Sequence, residues 1–468
     1  IKASAQGNVA ATSATAGRDI SIVAGQDASL GTANAGGLIL VNGGGNASLG
    51  VGTAGSDIDV MAVNNASLGT ANAGGLILVN GGGNASLVTG TAGTSVTATA
   101  GTQATVSGNI TAGSTYTVTG GSVTLGAPGT TVTQSAAGAV TIVAATNDVQ
   151  GLGILTLQST GATLDVTAGA GDITAGSTDF SATGAANLQA AGNIAFGNVT
   201  GASVNVHAGG GINGTSVTST GGLATLVADG SDIVANSVSA TGGNAVVDAK
   251  QNIGGKTSAG LSVSAQGAFS DVLVNQTAGF GTGNVTLATL VAGQDIKASA
   301  QGNVAATSAT AGRDVLVNQT ASYGTGNVTL ANVSGNTVSI MANDVTLNGA
   351  VTGLQSVTLT NKASLQNGTQ IGGTSGNTGF VVDNNEIGKI SAPIVVIETQ
   401  QTTAVKQDVT LADITLNGGQ RFAILTTPLS GAIDNAKINL TGAITGSYTG
   451  ILQIGGHDFL PVTQTSGL

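Results

Sequence analysis

The best local cluster of acids with a base in this sequence is Asp383, Glu386, Lys389 and Glu398. Two carboxyls with a cation beside them are the minimum for cleaving a sugar linkage, one group giving a proton while the other takes one or attacks. That chemistry requires all four to converge in one groove. The same spacing suits a solvated turn near the end of a chain, which is the reading adopted, so no catalytic residue is assigned. The histidines, His207 and His457, are far apart in the chain, with no carboxylate motif beside either. Surface or corner placement is expected of both, and no metal ligand is assigned.

Three further patterns invite a ligand. Gly279-Phe280-Gly281-Thr282-Gly283 lacks the Gly-Lys-Ser/Thr and the strand-to-helix setting of a phosphate cradle, so no cofactor-binding residue follows from it. Asp57-Ile58-Asp59 carries part of a calcium-binding nonapeptide coil. The full Gly-Gly-x-Gly-x-Asp pattern does not recur, and isolated turn-capping Asp is preferred to structural calcium. Phe280 and Tyr323 occupy matching repeat positions, where they either stack on a sugar or, as expected here, fill a corner. Asn-x-Ser/Thr sequons, acceptors for a glycan, begin at Asn46, Asn65, Asn84, Asn109, Asn198, Asn213, Asn275, Asn284, Asn318, Asn327, Asn332, Asn367 and Asn439.

The elements that must carry these residues are set by an unusual composition. Gly is 77 of 468 residues, 41% are apolar, 7% are charged and 2% aromatic, with neither Cys nor Trp. The apolar share is enough to build a core, and small residues suit a narrow, stacked one. Without Cys there are no disulfides or thiolate metal sites, so burial and backbone pairing must hold the fold. A net charge of −11, and no Lys or Arg from Asp19 through Val247, oppose nucleic acid or anionic membrane as partners. No run approaches the roughly 18 to 20 apolar residues of a membrane span. The sequence opens inside a repeat without a charged and then apolar leader, and reads as a mature or excised piece.

Whole blocks recur. Ala28 to Leu49 is identical to Ala66 to Leu87, and Ile1 to Asp19 returns letter for letter as Ile296 to Asp314. Asp271 to Ala288 returns nearly unchanged as Asp314 to Ala331. A weaker mark, small residues then Asp or Asn then Ile, falls at Ile173, Ile194, Ile233 and Ile253, and together with Gly211-Ile212 makes a nearly even series. Between turns the residues alternate, as in Ser95-Val96-Thr97-Ala98-Thr99 and Thr115-Tyr116-Thr117-Val118-Thr119, the period of a strand with one buried face. Short β-branched strands broken by Gly, Asn and Asp, with the pattern returning after about 20 residues, predict an all-β chain coiled into a parallel β-helix, a β-solenoid. Gly, Asn and Asp are expected to supply positive-φ corners. Like charges stacked a few ångströms apart repel, which accounts for their scarcity, and the corner series Asp172, Asn193, Gly211, Asp232, Asn252 alternates charge with neutrality.

The repeat pattern spans 1–390. Three of the four prolines fall in 391–468, which reads as a β-rich terminal segment: irregular coils, a cap or an assembly module. Phrases such as AGRDISIVAGQDASL and SGNITAGSTYTVTGGSVTLGA make the repeats similar to the shaft of filamentous-haemagglutinin-like exoproteins, large bacterial adhesins exported by two-partner secretion. The resemblance implies a right-handed coil and a place outside or on the outer surface of a Gram-negative cell. The expected function is a structural or adhesive rod of that surface or of a biofilm matrix, with a host or matrix glycan or protein as partner. The alternatives are a fibre subunit that binds copies of itself end to end, and a β-helix enzyme that degrades polysaccharide.

Overall fold

The computed structural model describes residues 1–319, 323–362, 368–374, 379–401, 407–429 and 436–456. Its internal contacts divide the chain into two units, Ile1–Gly230 and Ser231–Leu468. Both are β-solenoids built from parallel strands.

In the first unit each coil has three short faces. Ile20–Ala24 makes the first. Ala28–Ala35 makes the second and third, bending at Gly31 and Thr32, where two adjacent exposed residues interrupt the in-out alternation. The next coil repeats this directly above, pairing Ile20 with Ile39 and Ala28 with Ala47. Side chains of like position therefore form columns. Ile20, Ile39, Ile58 and Ile77 are all fully buried, as are Leu30, Leu49, Leu68 and Leu87 on the second face. One coil holds too few such side chains to offset the entropy of ordering its backbone, so its stability comes from the coils on either side. Where Tyr116 takes the isoleucine position, its hydroxyl donates to the buried Gln134 Oε1 (2.9 Å), and Gln134 Nε2 donates to the Val106 carbonyl (2.9 Å).

Coil length is constant at first, each corner from Asp27 to Asn84 bonding its counterpart 19 positions back in the chain. The coils then lengthen, as Val96 pairs with Tyr116 and Tyr116 with Val140. The corners differ from expectation. The positive-φ residues of the first unit are Gly126, Gly129 and Gly153, all in the enlarged coils. Glycine serves the regular corners through closeness instead: a Cβ on Gly36, Gly55, Gly74 or Gly93 would lie 2.0–2.3 Å from the carbonyl oxygen of the glycine one coil earlier. A second glycine column, Gly44, Gly82 and Gly101, is interrupted by Val63, whose N–H bonds the Gly43 carbonyl at 3.2 Å, close to the 3.1 Å of Gly82 and Gly101.

Asp and Asn at the corners hold the next coil with their side chains. The Oδ1 atoms of Asn8, Asp27, Asn46 and Asn65 accept from the backbone N–H of Asp27, Asn46, Asn65 and Asn84, at 2.8–3.2 Å. In the second unit Asp232, Asn252, Asn284 and Asn303 form the same chain, each accepting at 2.8 Å. Inside that unit Asn275 and Asn318 do take positive φ, 51° and 57°, and are fully buried. Each accepts from a backbone N–H one coil away and donates to a carbonyl on the other side.

The second unit keeps the three faces with larger excursions. Its first face runs Val338, Val357, Val395, Phe422, Leu452, so coiling continues beyond residue 390. The coils there are longer, with corner bonds from Lys437 to Asp408 and from Ala443 to Asp413 spanning 29 and 30 positions. A four-residue helix, α1 (Asn384–Ile387), is inserted between strands Phe380–Val382 and Ile390–Ser391. Among the described residues no helix is long and apolar enough to cross a membrane.

Candidate functional site: a strand-wide groove beside a helical insert

Around α1 the faces of the second unit fall out of step. On the second face the strands stack in the order Phe380–Val382, Thr369–Ile371, Val409–Leu411, Ile438–Leu440. Val345–Leu347 lies beside the first of them, with the Val381 N–H donating to Asp344 Oδ1 (3.0 Å). On the third face Val351 pairs with Ile390, and Ile414 with Ile444, but Ile390–Ser391 and Ile414–Thr415 belong to different sheets. Five strands on one face thus correspond to four on the next. The order of the chain explains it: Thr369–Ile371 and Phe380–Val382 lie on the same face, and among the described residues no third-face strand comes between them.

Beside these strands lies a groove of about 650 Å³, open to solvent, whose walls include Ile390–Pro393 on one side and Thr415, Asn417 and Gln420 on the other. Such a volume falls within the usual range of ligand clefts, about 300–1,000 Å³. Backbone direction follows from the parallel ladder, in which successive N–H groups point to opposite neighbours. Ile414, Leu416 and Gly418 donate onward to Ala443, Thr445 and Ser447. The N–H groups of Thr415, Asn417 and Gly419 therefore face the groove. Across it, Val351 donates to the Lys389 carbonyl, and by the same alternation Ile390 and Ala392 turn their N–H groups inward to the groove.

Asn384, the first residue of α1, closes one end. Its Oδ1 accepts from the Thr415 N–H (2.9 Å) and its Nδ2 donates to the Asp413 carbonyl (2.8 Å). The Asp413 carbonyl also accepts from the Gly373 N–H (2.7 Å), so the side-chain amide and the backbone after Thr369–Ile371 share it.

The predicted acid cluster builds the support of this groove. Asp383 caps α1, accepting from the Glu386 N–H (2.8 Å), while Glu386 Oε2 accepts from the Asp383 N–H (3.1 Å). Glu386 Oε1 also accepts from the Leu347 N–H (2.9 Å), and Lys389 Nζ donates to the Leu347 carbonyl (2.6 Å). Burial, with Asp383 and Asp344 nearby, raises the Glu386 pKa; burial likewise raises that of Asp344. Asp383, Glu386, Lys389 and Asp344 line one cleft of about 230 Å³. Glu398 is not among them; it lies on the first face and accepts from Thr360 Oγ1 (3.2 Å).

The remaining singled-out residues are dispersed. His207 Nε2 lies 2.8 Å from Asp229 Oδ2, both partly exposed, and His457 falls outside the described residues. Asp57 Oδ1 accepts from the Leu76 N–H (2.7 Å); Asp59 has a buried Oδ1 with no hydrogen-bond partner and a pKa raised by burial and then by Asp57. Among the described residues no three His, Asp or Glu side chains are grouped to hold a metal. Tyr323 is buried, its hydroxyl donating to the Phe280 carbonyl (3.0 Å), which makes it a corner-filling residue; Phe269 is the aromatic that stands exposed, at 85%.

Of the sequon residues, Asn46, Asn65 and Asn198 use Nδ2 to bond the corner residue of the preceding coil, and Asn84 ends that first ladder. Asn109, Asn284 and Asn327 accept through Oδ1. Asn275 and Asn318 are interior. Asn213, Asn332 and Asn439 are exposed, and Asn367 lies outside the described residues.

Comparison with protein-family models, with curated proteins and with solved structures finds no match. The fold defines a β-solenoid repeat protein.

Proposed function

We propose that this chain is a structural and adhesive rod of the outer surface, or biofilm matrix, of a Gram-negative bacterium, of the filamentous-haemagglutinin-like kind and exported by two-partner secretion. The observation that supports it is the outer surface of the stacked coils. Asn34, Thr53, Asn72 and Thr91 form one exposed row, and Ser29, Ser48, Ser67 and Ser86 form another that alternates exposed with half-buried, with Ser48 Oγ donating to Ser29 Oγ (3.1 Å). Such rows multiply one weak, uncharged hydrogen-bonding surface many times at a fixed interval, which suits repeated contact with a glycan or protein of the host or matrix.

Association with copies of itself is the second reading, favoured by the exact duplication of coils: Ala28–Leu49 and Ala66–Leu87 are identical and stack through the same pairings, so their stacking faces are interchangeable. Electron microscopy of the purified chain, followed by binding to immobilised glycans and matrix proteins, tests both. Elongated particles that bind such a surface support the rod, filaments support the fibre, and compact particles that do neither overturn both.

A further inference from the structure

We propose that α1 is a proton-operated clasp, which grips the strand Val345–Leu347 more tightly in mild acid than at neutral pH. This goes beyond the rod reading and does not rest on it. Its basis is the way that strand meets the chain that follows. On one side Val345–Leu347 pairs with Val328–Ala342 in an ordinary backbone ladder. On the other, the Leu347 peptide is held by side chains of α1 and of the turn after it: Glu386 Oε1 accepts from its N–H (2.9 Å) and Lys389 Nζ donates to its carbonyl (2.6 Å). Asp344 Oδ1 adds a further bond, accepting from the Val381 N–H (3.0 Å). In the other direction α1 holds Asp413 and Thr415 through Asn384, so this short helix braces two coils. A backbone ladder carries no group that titrates, whereas this joint runs through carboxylates.

The charged groups that face Glu386 are Asp383 at the start of its own helix, Asp344 from the corner before Val345 and Lys389 from the turn after α1, and all four line one cleft. Three carboxyls thus share one cation. Burial raises the Glu386 pKa, and Asp383 and Asp344 add to the rise; the bonds from the Leu347 and Asp383 N–H groups oppose it without cancelling it. Burial also raises the pKa of Asp344. A carboxyl whose folded pKa lies above its unfolded value adds stability as pH falls through the folded value, and the gain is complete below the unfolded one. Proton uptake therefore favours the closed joint, opposite in sign to Asp295, whose pKa is lowered by Arg313.

Hydrogen exchange of the full chain at pH 7 and pH 4.5 tests this, each rate being divided by that of an unstructured peptide at the same pH so that protection alone is compared. Protection of the Leu347 and Val381 amides should be greater at pH 4.5 by about threefold or more, the equivalent of half a pKa unit. Ile39 and Ile58 in the first unit, whose amides bond backbone carbonyls, should keep the same protection at both. Glu386→Gln is neutral throughout and retains a carbonyl for the Leu347 N–H, so it should remove most of the change at Leu347. The comparison on the parent chain needs no variant to fold. Equal protection at the two pH values, weaker protection in acid, or an unaltered response in Glu386→Gln would overturn the proposal.

Discussion

Gly55 and Gly176 both sit between strands of the first unit and differ in what lies near them. A Cβ on Gly55 would stand 2.1 Å from the Gly36 carbonyl oxygen, whereas one on Gly176 would meet nothing within 4 Å. Gly55→Ala should therefore cost about 1–3 kcal/mol, as overpacking does, and Gly176→Ala should stay within about 0.5 kcal/mol of the parent; chemical unfolding of the two variants measures both. Asp295 gives a second prediction. Its buried carboxylate accepts from Arg313 and pairs with Lys297, and the Arg313 bond is the largest cause holding its pKa below the usual 3.8. With a folded pKa lower than the unfolded one, its contribution is present above pH ~4 and lost as pH falls through the folded value. Asp295→Asn should lower stability at neutral pH and flatten its decline in acid, as read by urea unfolding at pH 7 and pH 3. At this scale the sequence showed which residues point inward, since alternation is local. It did not show that corner Gly answers to the neighbouring coil, because that contact is with a residue a full coil away in the chain.

Strands and coil length were legible because both are periodic, and α1 was missed because it occurs once. Its signal was nevertheless present: Asp383 followed three residues later by Glu386 is the pattern of a helix start, with each side chain bonding the other's backbone N–H. Read as a pair of acids it suggested catalysis; in the fold it is a staple between α1 and Val345–Leu347. Glu386→Ala frees the N–H groups of Leu347 and Asp383 together. Amide exchange over 380–391 should then rise by about an order of magnitude or more, while the strands of the first unit keep their protection. The groove was not legible at all. It results from one face carrying an extra strand, and no local pattern reports how many strands a neighbouring face holds.

For the molecule as a whole, exact duplication makes coils interchangeable. Removal of Ala47–Asn65, one whole coil, joins Asn46 to Ala66, and the chain resumes with the same inward columns. Removal of Ala47–Asn64, one residue fewer, shifts the register by one and turns the next inward column toward solvent. The first deletion should leave a cooperative thermal transition within a few degrees of the parent; the second should lose the coils around the junction, visible as missing protected amides. The same stacking has a mechanical consequence. Hydrogen bonds between coils lie across the strands, along the stacking direction. A pull on the chain ends would therefore load them one after another, so that the first unit would release slack coil by coil. From each of its regular coils the release is roughly 65 Å of extended chain. A solenoid built this way gives ground in even steps under strain, and each coil that remains still presents its full outer row.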